Sequence, residues 1–358
     1  MSYSQDVLFR PSVDTAGNPS RKNAPTAGEL ALIRAIRARA ARFAPSDLRL
    51  GIGDDCALLR VRPGEEMAVT TDLSIAGRHF DLRWHPPEAI GHRTLARGLS
   101  DLAAMGARPI AAFLSLGLPE ELLRSTRTGS ATWVDRYLDG FFSLAHSTCT
   151  ALAGGDLAQS PTFAADIVLI GGVRRGYAML RSGARPGHLL YVTGSLGGAA
   201  GGLQKLAQSA SQKSLGRSLR LPKQLDPLLT AHLLPQPRLA VGQALCRRGL
   251  ASAAIDISDG LSTDLAHICE ESRVAAEIEA SALPVQSGAT LAQALHGGED
   301  YELLFTAPPT VRIPRAIAGV AITRIGRIVR TRSGRAPITL ITPEGRQPLE
   351  HRGWEHFT

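Results

Sequence analysis

Short apolar runs that stop at glycine or aspartate, separated by stretches of helical period, recur along the whole chain and confine it to helices packed on short-stranded sheets. The runs LRLGIG, CALLRV and MAVTTD, within residues 48–72, read as strands that deliver Asp54, Asp55 and Asp72 to their ends. Ahead of them, Gly28 to Phe43 spaces Leu30, Ile33, Ile36 and Ala40 at helical intervals with arginines on the other face. Pro86-Pro87 opens a helix expected to reach Ala104, with Gly106 as its stop. Ile110 to Leu116 reads as a strand, Ser130 to Thr148 as a long helix and Ala164 to Val173 as a buried strand. The glycine-proline turn SGARPG then introduces a second block. It begins with the strand HLLYVTG and continues with strands at Ala253–Ile257, Ala275–Ile278, Tyr301–Thr306 and Ile322–Ile328 between helices.

At 358 residues the chain is long enough for two domains, each with its own core. The expected division is a leader without structure at 1–27, an N-terminal domain at 28–177 and a C-terminal domain at 178–358, both α+β. Residues 207–237 read as a surface insertion. With 44% hydrophobic and 20% charged residues, and no uncharged apolar run near the length of a membrane span, a cytoplasmic protein is expected. Cys56, Cys149, Cys246 and Cys269 lack metal-site or disulfide spacing, which agrees with a reducing compartment. The net charge of +8 comes from dispersed arginines without a basic run, so it points to anionic small molecules and away from nucleic acid.

Chemistry concentrates in carboxylates flanked by glycine. Gly51-Ile52-Gly53-Asp54-Asp55 and Thr70-Thr71-Asp72 present hard oxygen donors of the kind magnesium prefers, although each alone is also a common turn or edge-strand pattern. Asp101, inside the apolar helical segment SDLAAMGA, needs a cation or donor beside it, and Arg97 one turn earlier is the simple candidate. Gly154-Gly155-Asp156 reads as a glycine turn after a helix. In IDISDGLSTDL, strand alternation puts Asp256 and Ser258 on one face, and Asp259 falls where it can cap the next helix. Glu299 and Asp300 sit on a glycine turn before an apolar strand, where a solvated turn is the simple reading. With four lysines in the chain and no G-x-x-x-x-G-K-[ST], a lysine-centred phosphate loop is excluded, and G-x-S-x-G and H-E-x-x-H are absent too. A distributed acidic site remains.

The ordered set GIGDDCALL, TTDLSIAGRHF, LSDLAAMGA, GGD, RSGARPG, IDISDGLSTDL, GGEDYELLFT and GWEHF resembles the thiamine-monophosphate kinase family, from about Gly28 to the C-terminus. The resemblance implies two α+β domains of the aminoimidazole ribonucleotide synthetase-like type and a homodimer formed by the N-terminal domains. It implies ATP as phosphoryl donor, thiamine monophosphate as acceptor and several magnesium ions. By the same resemblance Asp55, Thr70, Thr71, Asp72, Asp101, Asp256 and Asp259 would hold the metal, and Asp54, Asp55 and Asp259 would be catalytic. Gly155, Asp156, Arg181 and Ser258 would contact ATP, while His79, Glu299 and Trp354 would meet thiamine monophosphate. The family typically places threonines after GGD; Leu157-Ala158 stand here, so hydroxyl contacts are not expected at that turn. The alternatives are a related synthetase of the same superfamily and a catalytically silent binder of nucleotide or thiamine phosphate.

Overall fold

The computed structural model describes residues 28–124, 131–210, 220–221, 224–331, 337–350 and 352–353. The expected leader, the middle of the 207–237 insertion and Trp354 lie outside the described residues. The first block runs α1 (Glu29–Ala40), β1 (Leu48–Leu50), β2 (Leu58–Leu59), β3 (Glu65–Ile75), α2 (Pro87–Ala104), β4 (Arg108–Leu118), α3 (Trp133–Ser147), β5 (Ala151–Gln159) and β6 (Ala164–Arg174). Four of these strands form a sheet in the order β3-β6-β4-β5, antiparallel except for the parallel pair β4 and β5.

The second block contains β7 (Leu189–Thr193), α4 (Gly198–Ala210), α5 (Pro227–Leu233), α6 (Leu239–Arg247), β8 (Ala253–Asp256), α7 (Leu261–Ser272), β9 (Ala275–Glu279) and α8 (Leu291–His296). It closes with β10 (Leu303–Ala307), β11 (Ala316–Ile317), β12 (Val320–Val329), β13 (Ile338–Thr342) and β14 (Gly345–Pro348). Its sheet has the order β14-β13-β9-β12-β7-β10-β8, with β11 paired to β12, and β13 and β9 form its parallel pair. Two mixed sheets with helices on them are the α+β architecture that the alternating pattern implied.

One helix joins the two sheets. Pro87 starts α2 where its missing N–H costs nothing, and almost every residue of the helix is buried. Buried around nearly its whole circumference, the helix is enclosed by other elements, among which its charged side chains find partners. α2 lies between β3, β4 and β6 of the first sheet, α3, and β8 and α6 of the second block. Strand alternation in the second sheet serves this arrangement. Ala254, Leu303 and Phe305 join the core around α2, while Ala253, Ile255 and Leu304 face α7 and a second core. Gly91 and Gly140 let α2 and α3 touch backbone to backbone, since a Cβ on either would sit under 2 Å from a carbonyl oxygen of the other helix.

The first sheet is covered on one face by α2 and only in part on the other. Thr70, Asp72 and Ser74 of β3 turn toward α2, whereas Met67, Val69 and Leu73 of the same strand are 53%, 57% and 48% exposed on the opposite face. The β1–β2 ladder covers part of that face through Leu48, Ala57 and Leu59 against Ile110, Ala111 and Ala153. Where Gly154-Gly155-Asp156 reads as a turn in sequence, the structure has strand β5, in register with β4. Small residues obscured this strand. Gly155 takes φ of +147°, and a Cβ there would lie 1.9 Å from the Leu114 carbonyl oxygen, so close backbone approach is what the glycine provides.

Candidate active site

α2 carries Arg93, Arg97 and Asp101 at successive intervals of four, one stripe along the helix. Arg97 and Asp101 meet β3, whereas Arg93 meets the loop before β10. Arg97 is drawn to Asp72 on β3, with Nη2 to Oδ1 at 2.6 Å, so it does not serve as the partner of Asp101 that sequence spacing offered. Asp101 instead accepts a short hydrogen bond of 2.5 Å from Thr70 Oγ1. The neighbouring Ser100 donates to Asp256 Oδ2 at 2.7 Å across the junction of the two blocks. Asp72 is therefore an interior residue of β3, paired with Ile167, and not the strand-end residue its sequence implied.

Asp101 lies close enough to Asp256 for its charge to raise the cost of ionising that carboxyl. Burial pushes the Asp256 carboxyl up to about 7, with the charge of Asp101 adding to the effect. Burial likewise raises Asp101, with Asp72 adding to it and the Thr70 hydroxyl opposing. The Arg181 charge acts in the stabilising direction on both carboxyl groups. A buried and a part-buried carboxylate that repel each other, with hydroxyl and carboxylate oxygens around them, suit a divalent cation. Among the described residues no three His, Cys, Asp or Glu side chains converge as a finished chelate. The donor set fits magnesium, which commonly takes one or two carboxylates and completes its shell with water and substrate phosphate.

A second group adjoins the first at the other end of the α2 stripe. Glu299 lies in a loop held at φ of +68°, and it is not on the solvated turn its sequence allowed. Arg93 Nη2 meets Glu299 Oε1 at 2.6 Å. Burial works to raise the Glu299 carboxyl, but the charges of Arg93 and Arg97 outweigh it and hold the group at about 2. His85 and His232 face each other, Nε2 to Nε2, at 2.9 Å. Burial and the nearby Arg93 depress both, His85 to about 4, so near neutral pH one imidazole donates to the other. His79 accepts the Ile75 amide at Nδ1, 3.0 Å away.

The loop after β8 is organised differently from its sequence reading. Asp259 does not cap α7; Gly260 holds the N-cap position, and Asp264 reaches back to accept the amides of Ser258, Asp259 and Gly260 at 3.0 to 3.1 Å. Burial, with the charges of Asp256 and Asp259, pushes the Asp264 carboxyl up to about 8. Asp300 has a related role, accepting Gly197 and Ala199 amides at the start of α4. Gly353, the last described residue, donates to Thr263 Oγ1 at 3.1 Å and lies directly against the Asp259 backbone.

Several sequence candidates stand apart from these groups. Asp54 and Asp55 occupy an exposed loop between β1 and β2, where Asp54 accepts the Asp55 amide at 2.9 Å. Thr71 points to the open face of the first sheet, opposite to Thr70 and Asp72, because the pleat alternates. Asp156 is exposed on β5, in register with Ser115 and, beyond it, Asp166, and accepts the Leu157 amide. Sequence reasoning missed Arg93, Ser100, His85 and His232, and gave Arg97 the wrong partner. The i, i+4, i+8 spacing of two arginines and an aspartate within a mostly apolar helical segment is the signal that marks Arg93.

Family models place residues 53–173 in the AIR synthase related protein N-terminal domain and residues 185–338 in the corresponding C-terminal domain. The thiamine-monophosphate kinase of Escherichia coli K12 is 38% identical over 344 residues, covering 92% of this chain and 98% of that protein. The chain belongs to the thiamine-monophosphate kinase family. The family member from Bacillus subtilis 168 is 32% identical and covers 92% of this chain and 99% of its own. Among solved structures of the family, the thiamine-monophosphate kinase of Stenotrophomonas maltophilia K279a matches with a TM-score of 0.72 at 38% identity, over 87% of this chain and 96% of that one. AaThiL complexed with AMPPCP and TMP matches with a TM-score of 0.68 at 29% identity, over 92% and 97%. Family membership thus rests on both halves of the chain. Among the described residues no helix is long and apolar enough to cross a membrane.

Proposed function

We propose that the protein transfers the γ-phosphoryl group of ATP to thiamine monophosphate, giving thiamine diphosphate and ADP, at the junction where α2 meets β3 and β8. The observation that carries this reading is the enclosed Asp101–Asp256 pair with Thr70, Asp72 and Arg181 around it. Full-length similarity to thiamine-monophosphate kinases, one of them complexed with AMPPCP and TMP, supports the choice of substrates. Magnesium held by Asp72, Asp101 and Asp256, with Asp259 at the neighbouring turn, would supply the positive charge that two polyanions need to approach each other.

The chain's own residues position and neutralise. A terminal phosphate oxygen of thiamine monophosphate is already anionic, so it can attack phosphorus as the bond to the bridging oxygen of ADP breaks, without a side-chain base. Arg181, an exposed cation whose charge favours the ionised form of both Asp101 and Asp256, is assigned to the ATP phosphates, and the Ser258 hydroxyl to the same ligand. Glu299, kept anionic by Arg93, is assigned to the cationic thiazolium, and His79 to the same substrate. ADP release should require both thiamine monophosphate and magnesium, and EDTA should stop it; release that ignores thiamine monophosphate in a coupled ADP assay would contradict the assignment. A silent nucleotide binder would release none.

The open face of the first sheet supports a homodimer. Met67, Val69 and Leu73 form an exposed apolar strip on β3, and Leu58 is 55% exposed nearby in the chain order. A second copy of the same face is the occupant, and a cytoplasmic location agrees with the free cysteines. Val69→Asp should convert the dimer to a monomer in sedimentation velocity, because one charge per copy would be buried without a partner. An unchanged sedimentation coefficient would move the interface elsewhere.

A further inference from the structure

Arg93 is a buried arginine that no substrate reading assigns, and its guanidinium reaches three separate segments at once. From α2 it donates through Nη2 to Glu299 Oε1 at 2.6 Å in the loop before β10. The same nitrogen lies 3.5 Å from the His79 carbonyl oxygen in the loop after β3. Through Nη1 it donates to the His232 carbonyl oxygen at the end of α5, with His232 Nδ1 at 3.3 Å. The side chain is 5% exposed, and Glu299 is 25% exposed, so the carboxylate has an open side while its partner does not. The residues it joins, His79 and Glu299, come from the two different blocks and are the two described residues assigned to thiamine monophosphate.

We infer that Arg93 is a positioning residue for thiamine monophosphate, holding the Glu299 carboxylate and the His79 loop at a fixed separation. This inference rests on the proposed substrate assignment. A planar guanidinium satisfies a carboxylate and two carbonyls in fixed directions, which neither an ammonium nor an amide reproduces. Behind it, the His85–His232 pair closes the space. His85 Nδ1 lies 3.1 Å from the backbone of Asp81, so α5 is anchored to the loop preceding α2 as well. Arg93 acts through Glu299 and not on the reacting phosphates, which the other end of the α2 stripe serves.

The test is a double-mutant cycle of Arg93→Gln and Glu299→Gln, with KM for each substrate measured separately. Arg93→Gln should raise KM for thiamine monophosphate roughly tenfold or more and leave KM for ATP within about twofold. On the Glu299→Gln background the same change should add less than about twofold, because the group it positions is already neutral. Arg93→Lys should recover only part of the loss, and it decides the matter by the same cycle if Arg93→Gln does not fold. Independent, multiplying effects of the two substitutions would overturn the inference, as would equal rises in both KM values or no effect of Glu299→Gln on thiamine monophosphate. If the unaltered protein shows no ADP release dependent on thiamine monophosphate, the substrate assignment itself fails, a result distinct from any outcome of the cycle.

Discussion

Asp256→Asn is expected to give a folded protein that melts at or above the temperature of the unaltered chain in EDTA, yet turns over on the order of 10³ times more slowly with magnesium present. The two halves of this expectation have one cause. Asp256 is buried beside Asp101, and its carboxyl is pushed up to about 7 because burial, and then the neighbouring charge, disfavour ionisation. Asparagine keeps the shape and an oxygen that can accept from Ser100, which now donates at 2.7 Å, while removing the charge that the fold penalises. Without metal the substitution therefore relieves repulsion. With metal and substrates it removes one anionic ligand from the place where phosphoryl charge must be balanced. Calorimetry in EDTA and steady-state kinetics in magnesium check the split, and a parallel fall in melting temperature and turnover would show that Asp256 is structural.

The second large effect concerns a residue with no chemistry. Gly242 of α6 lies so close to α2 that an added Cβ would stand 1.9 Å from the Ala103 carbonyl oxygen. Next to this contact, Gly106 at φ of +71° ends α2 against Cys246 of α6, 2.3 Å from where its own Cβ would be. The two helices meet backbone to backbone, so nothing flexible is available to yield. Gly242→Val should push α6 away and destabilise the fold by about 1 to 3 kcal/mol, as overpacking does. Because Ser100 and Asp101 sit three and two residues before Ala103, the displaced α2 should also separate Asp101 from Asp256. A shift near 1 Å is enough to lower turnover on the order of 10²-fold. Thermal melting and kcat should fall together here, in contrast to Asp256→Asn; normal kcat in a destabilised protein would show that the acidic pair does not depend on this helix contact.

The contrast between these two substitutions reflects what could be read from the sequence. Period and punctuation were sufficient for α2, whose Pro86-Pro87 start and Gly106 stop match the helix Pro87–Ala104, and for β6 and β12, whose apolar runs have few interruptions. β5 was hidden because Ala-Leu-Ala-Gly-Gly has neither β-branched residues nor alternation, and its glycines are needed for contact with β4. Individual carboxylates were visible, but their partners were not. Asp101 and Arg97 are one turn apart, and local spacing alone would pair them. The tertiary arrangement gives Arg97 to Asp72 and Asp101 to Thr70, 25 and 31 positions away in the chain. In the same way Asp259 has good local grounds for capping α7, but Asp264 already satisfies three amides of that turn. The most distant connection, Arg93 to Glu299 across 206 positions, has no local signature at all.

The pleat explains why the acidic residues of the motif set do not all meet within one copy of the chain. Thr70 and Asp72 face α2 and the second block, whereas Thr71, and on β5 Asp156, face the open side of the sheet. A motif of consecutive residues on a strand necessarily addresses two sides.

The most direct measurement is ³¹P NMR of the unaltered protein incubated with ATP, magnesium and thiamine monophosphate. The expected result is the appearance of the two phosphorus resonances of thiamine diphosphate, mole for mole with ADP, and no inorganic phosphate. Formation of ADP with inorganic phosphate in place of the diphosphate, or no change in the thiamine monophosphate resonance at any magnesium concentration, would contradict phosphoryl transfer at the α2 junction.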